Sequence, residues 1–233
     1  MNLSARLEAV AKQVDPYLTI ADIGSDHAYL PVWLVQNNKK SFAVAVEIKP
    51  GPLEAAWRTI HEAGLEKNIA VRLGDGLQVV EPGEVEVAVI AGMGGAAIQR
   101  VLEQSPTVLA CLRRIICQPM TGAAGLRAWL IENNWQTISE ELIFEDGRLY
   151  EVIAAEHGQS QPVDQLLLEI GPLLWQQRHP LLTEHLSRLK RQYEERVAAM
   201  ANSRSEKVRE RRQAFQEKIN ALEAKMTCLQ AVD

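Results

Sequence analysis

The chain has 233 residues, 47% hydrophobic and 24% charged, with a formal net charge of −5; these values sit near globular averages and exclude disordered and fibrous classes. Its length exceeds a typical single domain, so one α/β domain with a smaller appendage is the expected plan. The three cysteines, Cys111, Cys117 and Cys228, form no CxxC spacing, which excludes a disulfide framework or zinc ribbon and fits a reducing cytoplasm.

The N-terminal segment places Leu3, Leu7, Val10 and Val14 on one stripe of a short helix and lacks the continuous apolar run of a signal peptide. No later segment has the length and apolarity to span a bilayer. From Leu18 to about Gln118, apolar β-rich runs (LTIADI, FAVAVEI, IAVRL, VEVAVIA and RIICQ) alternate with helical stretches beginning near Ala28, Pro52, Gly94 and Gly122. A shorter helix is expected after Asp75. That alternation predicts βαβ units and a parallel sheet covered on both faces. Two further runs, Trp135 to Phe144 and Leu149 to Glu156, are separated only by Glu145, Asp146, Gly147 and Arg148, so they form an antiparallel hairpin. A mostly parallel seven-stranded sheet ending in a hairpin resembles the class I (Rossmann-like) methyltransferase fold rather than a dinucleotide dehydrogenase.

After a polar link from His157 to Val163 the pattern becomes helical, which divides the chain into domains at residues 1–160 and 161–233. Leu182, Leu186, Leu189, Tyr193, Val197 and Met200 recur at spacings of three and four, as do Phe215, Ile219, Leu222, Met226 and Leu229. With the break at Ala201 to Ser205, they predict an all-α antiparallel coiled-coil hairpin. A solvated helical pair with a structural or dimerising role is the competing explanation. Residues 1–175 hold 13 Lys and Arg against 22 Asp and Glu, whereas residues 176–225 hold 12 against 7. The acidic total therefore conceals a basic tail. Trp57, Trp129 and Trp175 are expected to serve packing rather than to act as base platforms.

DIGSDHAYLP, Asp22 to Pro31, leaves the first strand and enters a helix. Ligands of open α/β sheets bind beyond the carboxyl ends of the strands, where Gly24 permits close backbone approach. With one glycine in this turn, the GxGxxG that seats a pyrophosphate is missing, which argues against NAD. A donor with an ammonium group and no phosphate, S-adenosylmethionine, suits the carboxylates of Asp22 and Asp26. Glu47, ending the second strand, is placed to accept from the ribose hydroxyls. Asp75 is placed to accept from the adenine amine, with Gly76 leaving room for the ring. A helix-capping role competes for each such carboxylate. AGMGG, Ala91 to Gly95, can expose backbone to substrate or be only a tight turn. The candidate donor-binding set is Asp22, Gly24, Ser25, His27, Glu47, Ile48, Asp75, Gly76, Gly92, Met93 and Gly94.

DIGSDHAYLP, the acidic second strand, RLGDG, IAGMGG, the pair Gln118-Pro119 and EDGRLYE resemble the TrmK family, bacterial enzymes that methylate N1 of the adenine at position 22 of tRNA. The resemblance spans essentially the whole chain. It implies S-adenosylmethionine as donor, no metal, tRNA as partner and a helical C-terminal domain that helps grip it. It points to Gln118 and Pro119 as substrate contacts, although Met120 stands where the family pattern suggests Asn. Methyl transfer needs alignment and water exclusion more than covalent help. Asp26 is the leading catalytic candidate, opposing the charge that develops on the base. Tyr29 and His27 accompany it; half-buried packing and a structural His are their competing explanations. Arg188, Lys190, Arg191, Arg204, Lys207 and Arg211 are the expected phosphate contacts, in a set that also takes in Arg196, Arg209 and Arg212. Alternatives are another RNA or small-molecule ring nitrogen as acceptor, or a non-catalytic S-adenosylmethionine-binding RNA chaperone. The protein is expected to be cytoplasmic, monomeric or weakly dimeric, and not membrane-bound.

Overall fold

The computed structural model describes residues 2–37, 40–201 and 205–230. Two compact units divide the chain, Met1–Pro162 and Val163–Asp233. In the first, strands β1 (Thr19–Ile23), β2 (Phe42–Glu47), β3 (Ile69–Leu73), β4 (Val87–Gly94), β5 (Arg114–Thr121), β6 (Trp135–Glu145) and β7 (Arg148–His157) form one sheet in the order β3-β2-β1-β4-β5-β7-β6. The pairs β1–β2, β1–β4, β2–β3 and β4–β5 are parallel, and β7 is antiparallel to both neighbours. The hairpin turns at Asp146 and Gly147, both with positive φ, which is the backbone twist an Asp-Gly pair supplies most readily.

Helices α1 (Ala5–Lys12), α2 (Tyr29–Gln36), α3 (Pro50–Glu62), α4 (Gly95–Glu103), α5 (Pro106–Leu109) and α6 (Ala123–Glu132) accompany the sheet, with a 3-10 turn at Gly76–Val79. The continuous apolar runs of β1, β2 and β4 are buried on both faces, as parallel strands between helical layers must be. One face packs Ile23, Val46 and Ile90 with Ile98, Leu102 and Leu126. The other packs Ile20, Ala45 and Val89 with Val10, Leu34 and Ile60. Arg127 of α6 is buried and donates to Glu140 of β6 (2.5 Å) and Glu151 of β7 (2.7 Å), fastening α6 to the hairpin. Cys117 is buried and its thiol is pushed up to about 12 by that burial, whereas Cys111 and Cys228 are exposed. Trp129 is buried, donating to Glu103 (2.7 Å). Trp57, expected to pack, is instead 54% exposed and stacks on His61 one helical turn away.

The second unit holds α7 (Gln165–Ile170), α8 (Pro172–Gln176), α9 (Leu182–Ala199) and α10 (Glu206–Gln230). Lys190 pairs with Glu223 (2.7 Å), and Tyr193 packs on Phe215 (ring centroids 5.3 Å apart), so earlier residues of α9 meet later residues of α10 and the pair is antiparallel. Leu182, Leu186, Tyr193, Phe215, Ile219 and Leu222 are buried; Leu189, Val197, Met200, Met226 and Leu229 of the expected seams remain partly exposed. Trp175 is half-buried beneath Lys225, whose Nζ lies 4.3 Å from the ring centroid. Among the described residues, no helix is long and apolar enough to cross a membrane.

Candidate active site

Asp22, one residue before the end of β1, is 5% exposed and accepts from the Ser25 hydroxyl at 2.6 Å. Burial pushes its carboxyl up to about 6, opposed by the Ser25 bond and assisted by the neighbouring Glu47. Glu47 ends β2, is buried, and accepts from the main-chain N–H of Asp26. Its carboxyl is likewise raised, chiefly by burial, while the Asp26 N–H opposes the shift.

Between these carboxylates the chain turns sharply. Gly24 (φ +71) donates to the Val46 carbonyl at 2.9 Å. A Cβ on Gly24 would lie 2.7 Å from Met93 Cε, so only a bare backbone leaves Met93 its place. Asp26 and Ala28 both hold φ +56, a left-handed conformation that is strained for Ala. Ala28 is the N-cap of α2, with no side-chain cap bond. The Asp26 carboxylate is therefore not a helix cap; it stands 75% exposed, 3.9 Å from His27 Nε2. His27 stacks on Tyr29, with centroids 5.1 Å apart and planes at 15°, and Tyr29 is 43% exposed.

A cavity of about 380 Å³ opens beyond the strand tips. Gly24, Ile48, Asp75, Gly76 and Met93 of the expected donor set line it. Asp22, Ser25, His27, Glu47, Gly92 and Gly94 do not line it, but Asp22 and Glu47 directly precede the lining residues Ile23 and Ile48. Sequence reasoning missed Ala97 and Arg100 of α4 and Gln104 just past its end, which also line the cavity. Their spacing of three and four along a helix that begins at AGMGG was the available signal.

Two expected substrate contacts need correction. Gln118 is fully buried, its carbonyl oxygen accepting from Arg6 Nη1 (2.8 Å) and from the Gly92 N–H (3.2 Å), and Pro119 is buried beside it. Neither offers a surface to a base. Met120, next in sequence, is 40% exposed and accepts from Gln118 Nε2 at 3.7 Å. Among the described residues, no group of three or more His, Cys, Asp or Glu is placed to hold a metal.

In the helical unit, Arg191, Lys207 and Arg211 are exposed and Arg188 is half-buried, while Arg204 lies outside the described residues. Lys190 is half-buried and pairs with Glu223 and with Glu194 (3.6 Å). Arg196 and Arg211 flank one ring, each guanidinium 5.6 Å from the Phe215 centroid. Two cations are thus pinned against a single aromatic anchor.

A family model described as TrmK, tRNA (adenine(22)-N(1))-methyltransferase, matches residues 20–224. The chain belongs to the TrmK family. The tRNA (adenine(22)-N(1))-methyltransferase of Bacillus subtilis strain 168 is 43% identical over 175 residues, 75% of this chain and 74% of that protein. The crystal structure of B. subtilis TrmK superposes with TM-score 0.89 at 33% identity, covering 97% of this chain and 99% of that one. A Streptococcus pneumoniae chain solved with S-adenosyl-L-methionine gives TM-score 0.86 at 34% identity, over 97% and 100% of the two chains. The TrmK likeness thus includes the helical unit as well as the sheet.

Proposed function

We infer that this TrmK chain transfers the methyl group of S-adenosylmethionine to N1 of adenine 22 in tRNA. The carrying observation is the cavity at the tips of β1, β2 and β3, bordered by two buried carboxylates, in a chain that matches the family over residues 20–224. The residues present fit the donor. Asp22 supplies an anion for its cationic groups, and Glu47 retains an oxygen for the ribose hydroxyls. Asp75 stands at the rim for the adenine amine, with Ile48 and Met93 as apolar walls.

When bound, the donor supplies an electrophilic methyl carbon: the C–N bond forms at N1 as the C–S bond breaks, leaving a cationic base and a neutral thioether. Asp26 is placed to accept from the exocyclic amine of the adenine as that positive charge grows. The exposed His27–Tyr29 stack offers an aromatic face to a base drawn out of its own stack, which costs a few kcal/mol. The cations of the helical unit offset that cost by tracking phosphates. This reading places the protein in the cytoplasm, with its tRNA.

The test is incubation of wild-type protein and S-adenosylmethionine with unmodified tRNA transcripts, followed by mapping of the altered nucleoside. Asp26→Ala is expected to retain donor affinity and lose about tenfold to a hundredfold in single-turnover rate, the worth of one hydrogen bond to a charged group. A wild-type rate in that variant would remove Asp26 from the chemistry. Loss of methylation in the variant also separates an enzyme from a non-catalytic chaperone.

Donor binding should also weaken as pH falls through about 6, because a protonated Asp22 no longer attracts a cation. Calorimetric titration between about pH 8 and pH 5 checks this, and an affinity independent of pH across that window would contradict it.

A further inference from the structure

The buried amide of Gln118 has a task that the reaction itself does not explain. β4 slips register against β5 at this point: Ala91 pairs with Gln118 and Met93 with Pro119, and Gly92 is skipped. Gly92 holds φ +77, and Pro119 has no N–H to offer the ladder. The orphaned Gly92 N–H is taken by Gln118 Oε1 at 3.2 Å, a side chain standing where a strand carbonyl would be.

The same oxygen accepts from Arg6 Nη1 at 2.8 Å. Two donors on one atom fix which way round the amide sits, since a flipped amide would set its NH2 against both. Arg6 is itself held: its main-chain N–H donates to Glu145 Oε1 (3.2 Å), Nε lies 3.7 Å from Glu145 Oε2, and the guanidinium lies 5.5 Å from the Tyr150 ring centroid. Met93, one residue beyond the bulge, lines the donor cavity and packs on Gly24.

We propose that Arg6 is a positioning residue for methyl transfer: through Gln118 it holds the bulge at Gly92, and with it the Met93 wall of the donor cavity. The N-terminal helix α1 is thereby part of the apparatus, although none of its residues lines the cavity. The proposal rests on the methyltransferase reading above.

Arg6→Met keeps the apolar stem and removes the donor. Amide exchange by NMR should show the Gly92 N–H exchanging about ten to a hundred times faster, the effect of losing one charge-assisted hydrogen bond, with Ala21 and Ile23 of β1 unchanged. The single-turnover methylation rate should fall by about tenfold while tRNA affinity stays at its wild-type value. Arg6→Lys, which retains one donor, should give intermediate exchange and rate, and it decides the matter if Arg6→Met does not fold. Wild-type exchange at Gly92 in these variants, or a defect confined to tRNA affinity, overturns the proposal. If wild-type protein fails to methylate tRNA, the functional reading falls, while the Gly92 exchange still judges the coupling to Arg6.

Discussion

Asp22→Asn is expected to cut donor affinity by about two to three orders of magnitude while making the ligand-free protein harder to unfold. Both effects have one origin. Asp22 is almost wholly buried, and its carboxyl is pushed from 3.8 to about 6, so ionising it costs more in the folded chain than in the unfolded one. At neutral pH that ionised group costs the fold about 3 kcal/mol, the free-energy equivalent of the shift. The sign follows from the raised value. The contribution of the protonated group is fully present below the unfolded value of 3.8 and is lost as pH rises through about 6. Asn carries no charge and still accepts from the Ser25 hydroxyl, so the stability gap between variant and wild type should open over that window and stay constant above it. A bound cation would recover the cost, and Asn cannot offer it that attraction. Urea unfolding at several pH values and calorimetry with S-adenosylmethionine provide the two readouts. Undiminished donor binding by Asp22→Asn would remove Asp22 from the donor site.

A chain ending at Pro162 is expected to bind S-adenosylmethionine normally and to lose tRNA methylation by about 10³-fold, as expected when a set of phosphate contacts disappears. The two apolar clusters flanking the sheet draw all their residues from the first unit, so that unit has a core of its own. Replacing Arg191, Lys207 and Arg211 together by Ala gives the graded version. Each phosphate contact contributes about 0.7 to 0.9 to the slope of log affinity against log salt, so the triple variant should flatten that slope by about 2 to 3. Filter binding across a salt series measures it. An unchanged slope, with methylation by the shortened chain intact, would leave the helical unit no part in gripping tRNA.

The sheet was legible because its signals are local. Continuous apolar runs between Gly- and Pro-opened helices identify parallel strands, and Asp146-Gly147 identifies the hairpin within four residues. The acidic strand tips were legible for the same reason: Asp22, Glu47 and Asp75 each lie within two residues of the end of a recognisable run. What stayed hidden depends on partners far along the chain. Gln118 became a substrate contact through the family resemblance, and nothing near it in sequence reveals that Arg6, 112 residues away, and the Gly92 N–H occupy its oxygen. Lys190 stood in the expected phosphate set, and nothing near it in sequence shows that the packing of α10 on α9 brings Glu223 to it. Trp57 read as a packing residue because a large apolar ring usually is, yet it stands 54% exposed and belongs to neither apolar cluster. Arg100 and Gln104 were missed because a helix face acquires meaning only once the cavity beside it is known.

The uneven exposure of the three thiols gives the molecule a built-in ruler. Cys111 lies on the first unit and Cys228 on the second, both open to maleimide dyes, whereas Cys117 is shut away in β5 with its thiolate suppressed. A donor–acceptor fluorophore pair can therefore be attached without engineering any cysteine, and energy transfer between the dyes would report how the spacing of the two units responds when tRNA is added.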